Sequence, residues 1–354
     1  MFLANMLAKM RPNSPFGSRI AEVHNGSSLF TGDAGQGESN IRRWILENDY
    51  LEAIIALPLN IFYNTGIATY IWVLSNRKPE ARRGKTQLID ATTWFKPLRK
   101  NLGKKNCELG ESDTARILDL FLNFKESEQS KIFPNEAFGY SKITVERPLR
   151  LLTMLDAATL DRFAGACTEQ KEEAIVPVVR EVAASMGEGP HLDYNAFRRE
   201  VETASAPRKI KWNAKRWKLV QTVLATRDES AAPVIRREEK ASKTDVPETL
   251  YGRYGTDAGT VVEYEPDADL RDTEQVPLLE DGGVPAFFRR EVLPYVPDAW
   301  IDEAATKIGY EISFTRYFYK PTPLRSLDEI RADIEALEQE TEGLLGEILV
   351  ETEN

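Results

Sequence analysis

Apolar residues run almost without alternation from Leu51 to Leu57, and β-branched and aromatic residues dominate from Ile67 to Leu74. Both runs suit strands covered on two faces. Between them Pro58-Leu59-Asn60-Ile61-Phe62-Tyr63-Asn64-Thr65-Gly66 makes a turn carrying adjacent aromatics, which places a candidate site at the rim of a buried sheet. Upstream, Phe2 to Met10 has helical spacing and ends at Arg11-Pro12, where proline stops a helix. A short strand over Arg19 to His24 follows, then an Asn25-Gly26 turn and a glycine-rich loop, Thr31 to Gly37. Glu38 to Asn48 reads as a helix with Ile41, Trp44 and Ile45 on one face, and Thr86 to Ile89 as a strand ending in Asp90. The predicted order is that of half an α/β sheet domain, cut so that a would-be central strand lies at its edge.

Beyond Thr93 the pattern is polar and mixed, with a helix around Thr114 to Leu122 and an alternating strand or extended arm from Tyr140 to Leu149. Residues 151–227 read as helical, because Leu155, Leu160 and Phe163, then Ile175, Val178, Val179 and Val182, recur at three and four. Residues 228–275 are charged and turn-rich, which predicts a long irregular connection or a flexible excursion. At the C-terminus Leu327, Ile330, Ile334, Leu337, Thr341, Leu344 and Ile348 form a heptad seam broken only by Thr341. Ser326 and Glu329 make a capping box at its start. Gly343 and Gly346 each weaken an isolated helix by roughly 1 kcal/mol, so the seam needs a surface, either the protein's own body or a partner helix.

Composition narrows the classes. A chain of 354 residues suits two or three structural units, no apolar run approaches membrane-spanning length, and the N-terminus lacks signal-peptide character. The default expectation is a soluble cytoplasmic protein without membrane contact. Cys107 and Cys167 stand far apart, as do His24 and His191, so the residues for a disulfide, a metal site or a histidine-based triad are scarce. The net charge of −10 hides an asymmetry: residues 1–150 carry 21 Lys/Arg against 16 Asp/Glu, and the remainder 25 against 40. The basic half is the better candidate for a polyanion.

Four segments invite functional readings. The loop Thr31-Gly32-Asp33-Ala34-Gly35-Gln36-Gly37 precedes a helix, but it lacks a P-loop lysine, and Asp33 and Glu38 would repel phosphate. It is a nucleotide loop, a DNA contact or, as the bland alternative, a mobile surface loop. The run Arg208 to Lys218, with Trp212 and Trp217 among cations, is either a nucleic-acid patch or a helix face with buried tryptophans. Arg82, Arg83 and Lys85, and the stretch Lys96 to Lys105 with Arg99, Lys100, Lys104 and Lys105, carry the same two readings. Phe62 and Tyr63 either pack inward or face a ligand.

Larger words decide further. Leu51-Glu52-Ala53-Ile54-Ile55-Ala56-Leu57-Pro58, Asn60-Ile61-Phe62-Tyr63-Asn64-Thr65-Gly66-Ile67-Ala68-Thr69, Trp72-Val73-Leu74, and Gly84-Lys85 to Ile89-Asp90-Ala91 resemble the modification (methyltransferase) subunit of type I restriction-modification systems. The resemblance extends through Phe138-Gly139-Tyr140 and Ile143 to Arg150, and resumes at Val276-Pro277-Leu278, Val296 to Ile301, Lys307 to Ile312 and Arg316 to Lys320. It implies an adenine-N6 DNA methyltransferase that uses S-adenosylmethionine and assembles on DNA with a specificity subunit and a restriction subunit. The implied fold is the C-terminal half of a Rossmann-like α/β methyltransferase sheet, then a mainly helical extension and a coiled-coil-like C-terminal helix.

Residues 1–150 would be the C-terminal part of the methyltransferase domain, 151–275 the helical and partly irregular extension, 276–325 a C-terminal segment of the family type, and 326–352 a long assembly helix. By the same resemblance Phe62 stacks on a target base flipped out of the duplex, and Tyr63, Asn64 and Thr65 line the mouth of that site. Arg82, Arg83, Lys85, Lys100, Lys104 and Lys105 are candidate DNA contacts; Leu327, Ile330, Ile334, Leu337, Leu344 and Ile348 form the partner face. The family's cofactor glycine motif and its Asn/Asp-Pro-Pro-Phe/Tyr motif are found nowhere in this sequence. Asn13-Ser14-Pro15-Phe16 lacks the second proline and precedes a strand instead of ending one. The expectation is therefore a chain that begins at an internal position of the family and that alone is inactive and binds no S-adenosylmethionine. A truncated gene, a wrongly chosen start or an expressed fragment would each produce this, and the other half is encoded upstream, supplied by a separate chain or lost. The alternative is a noncatalytic DNA-binding or assembly module docking on a specificity subunit.

Overall fold

The computed structural model describes residues 2–12, 14–241, 248–321 and 324–351, with position 340 and positions 342–351 described by backbone alone. Chain-contact clustering divides it into a unit of residues 1–312 and a second of 313–354.

The first unit opens with helix α1 (Phe2–Ala8), strand β1 (Arg19–Asn25), a short helix α2 (Ser27–Phe30) and helix α3 (Gly37–Glu47). Strands β2 (Leu51–Ala56), β3 (Thr69–Ser75) and β4 (Lys85–Asp90) follow, then a hairpin of β5 (Lys96–Leu102) and β6 (Lys105–Glu108), helix α4 (Glu111–Asn123) and β7 (Ser130–Pro134). Five of these strands form a mixed sheet in the order β1-β3-β2-β4-β7. Only β2 and β4 run parallel, Ala53 to Ala56 pairing with Gln87 to Asp90. Every residue of β2 is buried, as the unbroken apolar run requires. On one face Ala53, Ile55, Val73 and Ile89 pack with Ile117, Leu120 and Phe121 of α4. The alternate residues turn the other way; of these, Trp72 lines a small cavity with Leu3 of α1 and Ile41 and Ile45 of α3. Among the described residues β1 bonds β3 alone, leaving its outer edge unpaired.

Strand β8 (Gly139–Glu146) leads through β9 (Leu151–Thr153) into four helices, α5 (Ala157–Glu169), α6 (Val176–Met186), α7 (Tyr194–Ser205) and α8 (Ala214–Leu224). Phe163, Val178, Val179, Val182, Phe197, Val201 and Val220 form their common core, in accord with the three-and-four spacing.

The next segment corrects the expectation of an irregular excursion over 228–275. After β10 (Ala225–Arg227), which pairs with β9, strands β11 (Ile235–Lys240), β12 (Arg253–Gly255) and β13 (Thr260–Tyr264) form an antiparallel sheet in the order β11-β13-β12. Strand β14 (Asp272–Pro277) joins β8. Strand β11 is exposed along most of its length, so Arg236 to Lys240 face water and the apolar alternation that marks a strand is absent. A short helix α9 (Gly283–Phe287) precedes β15 (Trp300–Tyr310), which flanks β8 on its other side.

A second correction concerns α3, whose buried face is Ser39, Arg42, Ile45 and Leu46 instead of Ile41, Trp44 and Ile45. Trp44 is partly exposed and meets Tyr50 edge-on at 5.5 Å. Arg42 donates to four backbone carbonyls: Tyr310 O at 2.6 Å, Thr31 O at 2.8 Å, Ser28 O at 3.2 Å and Gly32 O at 3.4 Å. Tyr310 N–H in turn donates to Ser39 Oγ at 3.1 Å. One buried guanidinium thus ties the glycine-rich loop and the end of β15 to α3.

The second unit holds α10 (Phe314–Phe318) and the long helix α11 (Leu327–Glu351). The capping box forms as expected: Ser326 N–H donates to Glu329 Oε2 at 2.9 Å, and Glu329 N–H to Ser326 Oγ at 3.2 Å. Leu327, Ile330, Ile334 and Leu337 of the seam are exposed, at 84%, 39%, 55% and 61%. The side chains of Leu344 and Ile348 lie outside the described residues.

Candidate nucleic-acid interface

The turn between β2 and β3 is held open by its own backbone. Leu57 N–H donates to Thr69 O at 2.9 Å and closes its base. Asn60 and Asn64 take left-handed φ values of 58° and 56°, a conformation that asparagine tolerates better than most residues. The chain reverses twice within a few residues, and Phe62 and Tyr63 emerge toward solvent, 38% and 69% exposed. Inward packing, the bland reading of these aromatics, is not what the fold adopts.

Hairpin β5–β6 braces this turn. It is polar and exposed along most of β5, which shows no alternating pattern, and β6 alternates over only four residues. It lies against the aromatic turn: Lys105 Nζ donates to Ile61 O at 2.9 Å, Asn106 N–H to Asn60 O at 3.2 Å, and the Cys107 thiol to Leu59 O at 3.2 Å. The two-residue tip, Gly103-Lys104, closes between Leu102 and Lys105. Gly103 has φ of 61°, and a Cβ there would collide with Asn64 Oδ1 and come within 3.2 Å of the Tyr63 ring. The left-handed φ favours glycine, and a larger residue would also require the Asn64 amide to swing aside. Glycine at the first of two tip positions is the local sequence feature that suits such a hairpin.

The fold therefore sets the turn of Phe62, Tyr63, Asn64 and Thr65 against the hairpin that carries Lys100, Lys104 and Lys105, the direct contacts coming from Gly103, Lys105, Asn106 and Cys107. Lys100 and Lys104 are exposed, whereas Lys105 is half-buried and committed to the turn's carbonyl. The other basic candidates lie elsewhere. Arg82 is buried, its guanidinium stacked 4.5 Å from the Phe121 ring and 4.4 Å from the Phe124 ring and bonded to Gln87 and Phe121 O. Burial pushes its pKa below the usual arginine value. It is a packing residue, not a presented cation. Arg83 and Lys85 are exposed, but Lys85 opens β4 while Asp90, at the strand's far end, is the residue that pairs beside the turn.

The remaining segments resolve into structure. Trp212 and Trp217 stack on each other at 4.4 Å and pack against the helical core, and Trp212 Nε1 donates to Ser205 Oγ at 2.7 Å. Lys215 and Arg216 both reach Glu172, at 3.2 Å and 2.7 Å. The glycine-rich loop is pinned, not mobile: its carbonyls face Arg42, and Asp33 pairs with Lys142. Two of its amides are engaged within the loop, the Asp33 N–H by Gln36 Oε1 and the Ala34 N–H by Asp33 Oδ1, and the Asp33 carboxylate would repel a phosphate. Of Asn13-Ser14-Pro15-Phe16, Asn13 lies outside the described residues and Phe16 is almost fully exposed.

A cleft of about 520 Å³ is lined by Arg147, Arg150, Arg227, Asp267 and Asp298. Its charges satisfy one another, Arg150 meeting Asp298 at 3.1 Å and Arg227 meeting Asp267 at 2.8 Å. This cleft joins the segment after β8 to the segment before β15. Both cysteines are buried and unbridged, and the described residues contain no cluster of metal-ligating side chains. Among the described residues no helix is long and apolar enough to cross a membrane.

Residues 1–143 match the family model described as N-6 DNA methylase. Among curated relatives, the type I restriction enzyme MjaIX methylase subunit of Methanocaldococcus jannaschii is 31% identical over 144 residues, 40% of this chain and 23% of that one. The MjaVII methylase subunit of the same organism is 34% identical over 112 residues, 31% of this chain and 18% of that one. The chain therefore spans less than a quarter of the length of these relatives. A solved type I restriction-modification methyltransferase subunit from Streptococcus thermophilus aligns over 39% of this chain and 26% of its own, at 24% identity and a TM-score of 0.33. The strand–turn–strand core lies inside the region that matches the N-6 DNA methylase model, and the proteins this chain resembles are methylase subunits of type I restriction-modification systems, which it covers in part.

Proposed function

We propose that this chain forms the target-base side of an adenine-N6 DNA methyltransferase acting within a type I restriction-modification system. The observation that carries the reading is the pair of exposed aromatics, Phe62 and Tyr63, on a braced turn at the rim of the sheet. An adenine amino group cannot be reached inside a stacked duplex, so the base must leave the helix and rest on a surface that replaces its lost stacking. A Phe62 ring face supplies that surface, and Tyr63, Asn64 and Thr65 border the same mouth. The family uses S-adenosylmethionine as methyl donor; the residues that would hold it are assigned to a part of the enzyme other than this segment. The unpaired edge of β1 is consistent with a further strand joining the sheet there, from the same enzyme or a separate chain. Helix α11, with Leu327, Ile330, Ile334 and Leu337 exposed, is assigned to docking on a specificity subunit.

The decisive experiment replaces Phe62 by alanine in a reconstituted enzyme. Methylation of a cognate duplex falls while affinity for S-adenosylmethionine stays near the parent value. Loss of cofactor affinity in step with activity would sink the assignment of Phe62 to the base. The noncatalytic alternative predicts no change in methylation.

A further inference from the structure

Hairpin β5–β6 carries no acidic residue between Lys96 and Lys105. Arg99, Lys100 and Lys104 are exposed, and among the described residues none of the three makes an ion pair. Other basic stretches mix paired cations, such as Lys215, Arg216 and Arg227 held by carboxylates, with exposed ones such as Lys211 and Lys218; what sets the hairpin apart is its place beside the aromatic turn. The cations stand on a hairpin whose tip touches Tyr63 and Asn64 and whose second strand bonds the carbonyls of Asn60 and Ile61. Unneutralised cations beside exposed aromatics are the combination that holds a single nucleic-acid strand, phosphates on one side and base faces on the other. We propose that the hairpin is a phosphate clamp for the single-stranded stretch around the everted base, with Lys100 and Lys104 on the phosphates flanking it. The proposal rests on the nucleic-acid reading of the aromatic turn and adds to it the backbone contact and its mechanical coupling. Gly103 supplies that coupling, since a side chain at its left-handed φ is strained and its Cβ would meet the Asn64 amide, so that the tip or Asn64 must move.

The test measures binding of the full chain to a short fluorescent single-stranded DNA by anisotropy, between about 50 and 200 mM salt. Lys100→Gln with Lys104→Gln flattens the slope of log affinity against log salt by about 0.7 per lysine. The control pair Lys211→Gln with Lys218→Gln, both exposed and outside the hairpin, leaves it unchanged. Phe62→Ala lowers affinity about tenfold with the slope preserved. Gly103→Ala lowers the affinity and flattens the slope together, because it displaces the tip from the turn. An unchanged slope in the hairpin pair, with Phe62→Ala still weakening binding, overturns the clamp and spares the base-stacking reading. A flattened slope with no effect of Phe62→Ala supports the clamp and removes the stacking reading. Absence of binding by the parent chain overturns the proposal.

Discussion

Replacing Arg42 by methionine removes a buried cation while keeping most of the side chain's volume. Four carbonyls, those of Ser28, Thr31, Gly32 and Tyr310, lose their donor at once. Each buried acceptor left unpaired costs about 1–3 kcal/mol, but the contact at Gly32 O is long and the loop can admit water. Relief from desolvating the guanidinium works the other way; burial already pushes its pKa below the ordinary arginine value. The balance is a loss of about 3–5 kcal/mol, the range found when one member of a buried charged network is removed. That is a large share of the roughly 5–15 kcal/mol available to a folded protein. Urea unfolding followed by circular dichroism should show the midpoint fall by roughly 1–2 M. Arg42→Lys recovers only part of the loss, because a single ammonium cannot reach carbonyls arranged for a planar fork. Hydrogen exchange should quicken at Tyr310 and through residues 28–32 before it does so in β2. A midpoint for Arg42→Met within about 0.5 kcal/mol of the parent would refute the claim that this side chain pins the loop and β15 together.

Three further outcomes are expected. Arg82→Leu lowers stability by about 2 kcal/mol through lost ring stacking and hydrogen bonds, and leaves the salt dependence of DNA binding alone; a flattened slope would return Arg82 to the DNA-facing set. The Lys142 hydrogen bond holds the Asp33 carboxyl below its usual 3.8, so its contribution is present above that value and is lost as pH falls through the folded pKa. Asp33 is well exposed, so the gain is under about 1 kcal/mol, and the sharper readout is NMR titration: Lys142→Met moves Asp33 up toward its ordinary value, and an unmoved titration refutes the pairing. Leu337→Asp on α11 abolishes co-purification with a specificity subunit; undiminished association would return the seam to packing within this chain.

Strand and helix positions were legible wherever burial was complete or one-sided. The run Leu51 to Leu57 reads as a strand because both of its faces are covered, and the helices of 151–227 declare themselves because each buries a single stripe. Ser326 and Glu329 form the expected reciprocal bonds because a capping box depends on sequence-local atoms alone. Strands β5 and β11 escaped because solvent reaches most of their residues, and a strand without a buried face writes no period. Arg42 was invisible for the opposite reason: charge suggests a solvated face, and only the four carbonyls converging on it make burial tolerable. Within the candidate site, the aromatics of the turn could be read as a motif. Their contact with Gly103 could not, since the hairpin that supplies it is set by a tertiary collision distance and not by any local pattern.

The Arg42–Tyr310 hydrogen bond joins residues 268 positions apart. During synthesis at about 5–20 residues per second, Arg42 leaves the ribosome on the order of tens of seconds before Tyr310 exists to meet it. Through that interval the N-terminal sheet can collapse, but the glycine-rich loop has no β15 to close against, and one guanidinium donor direction stays open to water. Completion of this part of the fold is therefore a late event, timed by the arrival of β15. A chain arrested before residue 310 would leave the ribosome with its sheet assembled and the loop beside α3 still unlatched.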